Sequence, residues 1–244
     1  SPPQHSAFDS VDGLLDLVER IADATGLPVG IKSAVGELGF WEELCAAMRS
    51  NERGVDFVTI DGGEGGTGAA PLSFSDHVAL PFKLGFTRVY KTFARHGLHG
   101  RVVFVGSGKL GLPERALFAM SLGCDLVAVG REAMLAIGCI QASRCHTGLF
   151  PTGVATQNAW LARGLDPTFK AARLANYVMT MRKELLLLAR ATGVPHPALV
   201  DSDAFEILDD RFGAETPRSL FGYEPTWALP SPEDRDAVAA LMRP

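Results

Sequence analysis

Residues 54–71 read GVDFVTIDGGEGGTGAAP, a run of β-forming residues followed at once by a loop with five glycines in seven positions. Glycine is usual where φ must be positive or where the backbone must approach another group closely. In parallel α/β folds, the loops at the carboxyl ends of the strands hold the ligands. The stretch therefore predicts a strand that delivers a glycine loop to a binding site.

Three other runs share this β-branched character. The four predicted strands are PVGIK (28–32), VDFVTID (55–61), RVVFVG (101–106) and DLVAVG (125–130). They are almost continuously apolar, which is the pattern of strands covered on both faces. Helical patterns separate them, the first running from the capping residue Ser10 to Gly26. Alternating strands and helices predict parallel βαβ units and an α/β fold.

Beyond Gly130 no further strand is predicted. A long helix is expected over 168–192, and the tail 195–244, which holds seven of the 15 prolines, is expected to wrap the domain irregularly. The chain is therefore divided into β/α units over 1–165 and a helical and irregular C-terminal extension over 166–244. Four strands are too few for a closed (β/α)₈ barrel, so the sheet is either open or half of such a barrel.

The composition is that of an ordinary globular protein, with 47% hydrophobic and 21% charged residues. The net charge of −5, without a basic cluster, argues against a nucleic-acid partner. The sequence shows no signal peptide and no apolar span of about 18 residues, so a cytoplasmic location is expected. The chain begins at Ser1 without Met, and a membrane anchor outside it stays open. Cys45 and Cys124 are expected to be buried thiols in helical contexts.

Three successive strands end in glycine loops: IDGGEGGTG, VGSGKLG and VGREAM. The last two loops of a barrel often form a phosphate site with the N–H groups of a helix N-terminus. The residues expected to form its two walls are Gly106, Ser107, Gly108 and Lys109 on one side, and Gly130 and Arg131 on the other.

A dinucleotide-binding fold is the alternative, because Gly106, Gly108 and Gly111 match G-x-G-x-x-G after a strand. That fingerprint also needs an acidic residue at the end of the next strand. Asp125 precedes the next strand instead, which disfavours this interpretation. A P-loop is excluded because Lys109 is not followed by Ser or Thr.

Two longer motifs resemble the FMN-binding synthase domain of glutamate synthase: DGGEGGTGAAPLSFSDH (61–77) and GCIQASRCHTGLFPTGVATQ (138–157). The opening SPPQHSAFDS and the VGIK strand also fit, so the likeness runs from Ser1 to about Pro197. The resemblance implies a (β/α)₈ barrel that binds FMN at its carboxyl-end mouth. It implies that this chain holds strands five to eight, and that the N-terminal half of the barrel is a missing partner.

The resemblance also implies roles for individual residues. Lys32, at the end of the first predicted strand, corresponds to a flavin-facing catalytic lysine, while a surface or capping role is expected for Glu64 and His77. The residues implied to approach the flavin and substrate are Asp61, Gly62, Gly63, Gly65, Gly66, Thr67 and Gly68. The residues implied to hold the FMN phosphate are Ser107, Gly108, Lys109, Gly130 and Arg131.

One departure from the family pattern concerns iron–sulfur ligation. Members carry C-x₅-C-x₄-C, whereas this chain has Cys139 and Cys145 followed by Phe150 at the third position. Phenylalanine cannot ligate iron, and His146 stands next to Cys145 rather than at the missing position. An intact cluster is therefore not expected, and the two cysteines are interpreted as remnants.

The function implied is that of a glutamate-synthase-like FMN-dependent oxidoreductase in glutamate biosynthesis and nitrogen metabolism. It would transfer ammonia, free or derived from glutamine, reductively to 2-oxoglutarate, with electrons from a donor protein. Two alternatives stay open. The chain could be a degenerate or partial barrel that acts as an assembly or regulatory partner, or it could belong to a methylamine–glutamate transfer enzyme.

Overall fold

The computed structural model describes residues 5–50, 52–65 and 77–243. A parallel four-stranded sheet lies at its centre, with the strands in the order β1-β2-β3-β4. They are β1 (Gly30–Ala34), β2 (Phe57–Asp61), β3 (Val103–Ser107) and β4 (Leu126–Ala128). Each strand therefore pairs with its neighbour in sequence, without the order reversal at which a dinucleotide-binding fold places its ligand.

Helices follow or precede each strand. They are α1 (Val11–Thr25), α2 (Gly39–Met48), α3 (Phe82–Arg95), α4 (Pro113–Ser121), α5 (Arg131–Ala136), α6 (Ala159–Ala162), α7 (Pro167–Ala191), α8 (Pro217–Phe221) and α9 (Pro232–Leu241). The first helix is capped as its sequence predicts, because the Ser10 hydroxyl accepts a hydrogen bond from the Gly13 N–H and Gly26 adopts the left-handed conformation. The helix predicted over 168–192 corresponds to α7, which begins and ends one residue earlier than predicted.

The helices cover one face of the sheet. The strands place three apolar side chains on the face that the helices cover, namely Val58, Ile60 and Phe104. These side chains are fully or almost fully buried in a core that includes Trp41 and Phe93. Val58 and Ile60 alternate along β2 with half-buried residues, so that strand has a core side and an opposite side.

The opposite face of the sheet is open in the described part of the chain. Val103 is 42% exposed and Leu126 is 58% exposed, although both are apolar. The expectation that the strands are covered on both faces is therefore wrong for this chain as described. Parallel sheets are otherwise found covered on both faces, so an exposed apolar face is unusual for a sheet of this type.

In-register rows cross the open face. The row nearest the carboxyl ends contains Ala34, Asp61, Ser107 and Ala128. The next row contains Lys32, Thr59, Val105 and Leu126, and the third contains Gly30, Phe57 and Val103. The face is thus apolar at the amino ends of the strands and polar towards their carboxyl ends.

The residues after α7 pack against α3 and the end of α4. The Tyr223 hydroxyl donates to the Leu122 carbonyl at 3.0 Å, and the Ala228 N–H donates to the Tyr90 hydroxyl at 2.8 Å. Both tyrosine rings are buried and stack on each other. These contacts join the tail to the same core as the strands.

Two details of the sequence expectations are corrected. A short antiparallel pair, β5 (Ile207–Leu208) and β6 (Ala214–Glu215), occurs beyond Gly130, where no strand was expected. Two residues per strand are too few to produce a visible alternation. Cys124 lies between α4 and β4 rather than in a helix, although it is buried as expected.

Cys45 lies in α2 and is also buried, and burial together with the Glu42 charge raises the pKa of its thiol to about 12. No helix within the described ranges is long and apolar enough to cross a membrane.

Candidate functional site

Three polar side chains form a connected row at the carboxyl end of the open face. The Lys32 Nζ lies 3.1 Å from Asp61 Oδ2, and the Ser107 hydroxyl donates to Asp61 Oδ1 at 2.7 Å. These residues stand on β1, β2 and β3, so one carboxylate joins three neighbouring strands. The row was not foreseen from the sequence, because it depends on the register between strands.

Lys32 lies in the middle of β1 rather than at its end, because the strand continues to Ala34. Its side chain belongs to the second row and extends towards Asp61 in the row nearest the carboxyl ends. The Lys32 side chain remains 60% exposed. Its ammonium group is therefore held over the open face and stays accessible to a ligand.

The Ser107 hydroxyl has a defined orientation. A carboxylate can only accept hydrogen bonds, so the proton of this hydroxyl is directed to Asp61. The oxygen consequently presents only lone pairs to any further group. Ser107 was expected to hold a phosphate, which also only accepts hydrogen bonds, and in this arrangement its hydroxyl cannot donate to one.

The described glycines of the first loop bring protein segments together. A Cβ placed on Gly62 would lie 2.7 Å from the Phe82 nitrogen, and one on Gly63 would lie 2.5 Å from the Ala79 carbonyl oxygen. Contacts below 3.0 Å are not sterically possible without movement, so a side chain is excluded at both positions by the protein itself.

Gly65 is restricted in the same way, because its Cβ would lie 2.9 Å from Asp61 Oδ1 and 3.2 Å from the Gly108 Cα. The loops after β2 and β3 therefore pack directly on each other. Gly66, Thr67 and Gly68, which were also expected to approach the flavin, lie outside the described residues.

Glu64 fixes the base of this loop. Its carboxylate oxygens accept the Phe82 N–H at 2.9 and 2.8 Å, at the first residue of α3. Pro81 offers no side-chain cap of its own to that helix. The capping role expected for Glu64 is confirmed, while His77 lies exposed in a turn.

The residues that were expected to bind a phosphate follow β3 and β4, at the carboxyl ends of these strands. Gly108 and Lys109 have φ angles of 139° and 54°, so the chain reverses sharply after Ser107. Arg131 begins α5 directly after Gly130, its N-cap residue. Two cations thus follow two neighbouring strands, a donor set that suits a phosphate group.

The surroundings of Gly130 indicate how much space is present at this position. Its φ of −115° is available to any residue, and a Cβ added to it would meet no atom of the described residues within 4 Å. Within the described part of the chain, no contact therefore requires glycine at this position. Gly130 directly precedes Arg131, whose guanidinium is a type of group that suits a phosphate.

The structure describes all three positions of the motif in which Phe150 replaces a cysteine. Cys139 and Cys145 are half-buried free thiols, and no group of three or more metal-ligating side chains is found within the described residues. Phe150, at the position of the third cysteine, is 0% exposed. Its ring fills space in the fold in the way expected of an ordinary core residue.

Comparison with known proteins identifies the family. The family model "conserved region in glutamate synthase" matches residues 1–195. The glutamate synthase large subunit-like protein YerD of Bacillus subtilis is 37% identical over 197 residues, which cover 81% of this chain and 38% of the relative. The archaeal glutamate synthase [NADPH] of Methanocaldococcus jannaschii is 32% identical over 80% of this chain and 38% of its own length.

A plant relative matches the same part of the chain. The ferredoxin-dependent glutamate synthase 1, chloroplastic/mitochondrial, of Arabidopsis thaliana is 34% identical over 186 residues, or 76% of this chain and 11% of the relative. The chain spans less than two fifths of the length of each of these relatives. On the family match over residues 1–195, the chain belongs to the glutamate synthase family.

Proposed function

We propose that this chain forms the C-terminal half of an FMN-binding (β/α)₈ barrel. The sequential order of four parallel strands is that of consecutive barrel strands, and the open face is the one that would point into the barrel. Residues 1–165 would supply the β/α units, and 166–244 the extension that packs on them. The remaining strands would come from a partner half, which fits the greater length of the relatives.

The function best supported is reductive transfer of ammonia to 2-oxoglutarate, giving glutamate, in a glutamate-synthase-like oxidoreductase. The observation that supports it most directly is the row formed by Lys32, Asp61 and Ser107 at the carboxyl end of the sheet. In α/β barrels this end holds the active site. An accessible ammonium suits an anionic 2-oxo acid or an electron-rich ring.

Several of this chain's residues would hold FMN. Lys32 would place its positive charge beside the ring, and Lys109 with Arg131 would bind the phosphate next to the space left by Gly130. The loop of Asp61, Gly62, Gly63, Gly65, Gly66, Thr67 and Gly68, with Gly108 packed against it, would form the wall. Bound FMN would supply the hydride that reduces the carbon–nitrogen double bond formed from 2-oxoglutarate and ammonia.

One observation favours the non-catalytic alternative. Phe150 is fully buried where the family has a cluster ligand, so electrons would need a route that does not use an iron–sulfur cluster. A barrel that kept the FMN site and lost this route would act as an assembly or regulatory partner. An electron-donor protein that reaches FMN directly would preserve catalysis.

Flavin binding and glutamate formation test these alternatives. The chain would be purified together with the polypeptide that completes the sheet, and flavin absorbance would be measured after extensive dialysis. Glutamate formation from 2-oxoglutarate and ammonia would then be measured with a chemically reduced dye as electron donor. Retained FMN with turnover supports the oxidoreductase, whereas retained FMN without turnover supports the non-catalytic alternative.

A matched pair of variants isolates Lys32. Lys32→Gln should abolish turnover, whereas Lys183→Gln, which removes the same charge from an exposed position in α7, should leave it unchanged. Absence of bound flavin from the completed protein would contradict the proposal as a whole.

A further inference from the structure

We propose that a cleft at the amino ends of β3 and β4 binds an amino acid that has a free ammonium group, a free carboxylate and an apolar side chain. The cleft has a volume of about 820 Å³. Pockets for small molecules usually measure about 300–1,000 Å³. It lies at the other end of the strands from the row formed by Lys32, Asp61 and Ser107, so this proposal does not depend on the proposed function.

The cleft lies between two parts of the chain. One wall is formed by residues 99–104 and 123–125, around the first residues of β3 and the residues before β4. The other wall belongs to the C-terminal extension and is formed by His196 and most of residues 225–235. The family model matches residues 1–195, so only the first of these walls lies within the match. The cleft is therefore a feature of this chain that the family match does not describe.

The second wall is held in a defined position. The Tyr90 hydroxyl accepts the Ala228 N–H at 2.8 Å, at a point where both residues line the cleft. The Ser231 hydroxyl accepts the Asp234 N–H at 3.1 Å and donates to the Asp234 carboxylate at 2.7 Å, which caps α9 just before Arg235. The cleft is thus preformed, as binding sites for small molecules usually are.

The first wall offers hydrogen-bond acceptors. The Asp125 carboxylate accepts the Phe104 N–H at 2.7 Å and forms no ion pair with any described residue. The His99 Nδ1 is buried and has no hydrogen-bond partner within the described part of the chain. Burial lowers the pKa of His99, so its ring is neutral at about pH 7 and can accept a hydrogen bond. Arg101, the cation of this wall, donates to the Met48 carbonyl at 3.4 Å. The acceptors suit an ammonium group.

The second wall offers hydrogen-bond donors. The His196 Nδ1 accepts the Ala198 N–H at 3.2 Å, so the proton of the neutral ring is carried by Nε2. The Arg235 guanidinium forms no ion pair within the described ranges of the chain. Asp234, the acidic residue of this wall, is already hydrogen-bonded to Ser231. The two donors suit a carboxylate.

An amino acid would connect the two walls. The opposite charges of Asp125 and Arg235 line one cleft without pairing with each other. The ammonium group of the ligand would lie beside Asp125 and His99. Its carboxylate would lie beside Arg235 and His196. Apolar groups such as the Leu229 side chain also line the cleft and would contact the side chain of the ligand. A ligand with only one charge would leave one wall unpaired.

Three ligands of similar size test this arrangement by isothermal titration calorimetry on the completed protein. L-Phenylalanine carries both charges, phenethylamine lacks the carboxylate, and 3-phenylpropionate lacks the ammonium group. L-Phenylalanine should bind about tenfold or more tightly than either analogue, because each analogue loses charge-assisted hydrogen bonds. No measurable binding of L-phenylalanine, or equal affinity for all three ligands, would overturn the proposal.

Variants assign each charge to its wall. Arg235→Gln should weaken L-phenylalanine binding by about tenfold and leave phenethylamine binding unchanged. Asp125→Asn, which keeps an acceptor for the Phe104 N–H, should weaken L-phenylalanine binding to a similar extent and leave 3-phenylpropionate binding unchanged. The matched controls are Arg243→Gln and Asp236→Asn, which remove the same charges from exposed positions outside the cleft. They should change the affinity by less than about twofold, since exposed charges away from a ligand contribute little.

Lys32→Gln separates the two ends of the sheet. The exposed Lys32 ammonium is a second group that could attract the carboxylate of the probe. If the cleft is the binding site, Lys32→Gln should leave the affinity for L-phenylalanine unchanged. Loss of binding in Lys32→Gln, with Arg235→Gln and Asp125→Asn unaffected, would place the ligand at the carboxyl ends of the strands and overturn the proposal.

Discussion

Removal of the Glu64 carboxylate should destabilise the chain by loosening the start of α3. This carboxylate accepts the Phe82 N–H through both oxygens, at 2.9 and 2.8 Å, from a position 18 residues earlier in the sequence. Pro81, the N-cap residue of α3, has no side chain that could replace it as a cap. The helix itself contributes Phe86 and Phe93 to the core, so its first turn matters for packing.

The expected magnitude follows from three terms. One N–H shared between two carboxylate oxygens counts as a single charge-assisted hydrogen bond, worth about 1.5–3 kcal/mol. A negative charge at a helix N-terminus adds about 0.3–1 kcal/mol. Because Glu64 is only half-buried, solvent screening reduces both. We expect Glu64→Ala to lower the free energy of unfolding by about 1.5–2.5 kcal/mol, and Glu64→Gln, which keeps an acceptor, by about 0.5–1 kcal/mol.

Urea denaturation followed by tryptophan fluorescence measures this change, because Trp41 is 1% exposed and reports on the contact between α2 and the core. Glu114→Ala is the control, since Glu114 lies in the first turn of α4 and interacts there with the helix dipole. It should change stability by less than about 0.5 kcal/mol. Equal changes in the free energy of unfolding for Glu64→Ala and Glu114→Ala would show that the hydrogen bond from the Phe82 N–H to Glu64 does not stabilise the folded chain.

Four further outcomes are expected. Arg131→Ala should weaken FMN binding by about 1–3 kcal/mol, and unchanged flavin retention on dialysis would count against this residue as a phosphate ligand. The chain alone should self-associate through its open face, and Leu126→Lys should reduce the average mass measured by light scattering. A parent chain that is monomeric and melts in one sharp cooperative transition would contradict this self-association. Anaerobically purified protein should lack iron and acid-labile sulfide, whereas a stoichiometric cluster whose electron paramagnetic resonance signal disappears in Cys139→Ser would contradict the role given to Phe150. Burial lowers the pKa of His99, so its contribution to stability should be complete above the unfolded pKa of about 6.5 and should be lost as the pH falls below that value. If the free energy of unfolding of the parent chain changes no more than that of His99→Gln between about pH 7.5 and 5.5, this expectation is wrong.

The glycine loops and the strands before them were predictable from the sequence, because local patterns determine them. All four strands were identified, although each begins one or two residues later than predicted, as for the predicted 28–32 and the observed Gly30–Ala34. That shift moved Lys32 from the strand end to its middle. Boundaries depend on the pairing of each backbone group with a neighbouring strand, which the local pattern of one strand does not contain.

The open face was not predictable for a related reason. A strand lining the inside of a barrel and a strand covered by helices on both faces are both rich in apolar residues, so Val103 and Leu126 look the same in either case. Their exposure depends on whether the partner surface is present. The hydrogen bond between Asp61 and Ser107 was likewise not predictable, because it joins residues that are 46 positions apart and that only the register of the sheet brings together.

The glycines show where a correct pattern received an incomplete explanation. Their density after β2 suggested room for a flat ring, whereas Gly62 and Gly63 are required by contacts with Phe82 and Ala79. A sequence cannot distinguish a glycine that admits a ligand from one that admits another loop, since both lack the same Cβ. Gly130 differs, because no atom of the described residues lies within 4 Å of the position where its Cβ would be.

The burial of Phe150 makes the loss of the third cysteine difficult to reverse. Its side chain is completely enclosed, so Phe150→Cys would restore a thiol only by leaving a cavity where the ring had been. Truncation of a buried aromatic ring to a small residue costs about 3–5 kcal/mol, a large part of the stability of an ordinary domain. A lineage that carried this phenylalanine would have to repack its surroundings before a regained ligand became tolerable. Mutational drift would therefore tend to preserve phenylalanine at this position, and an engineered cysteine here would need compensating substitutions in the residues around it.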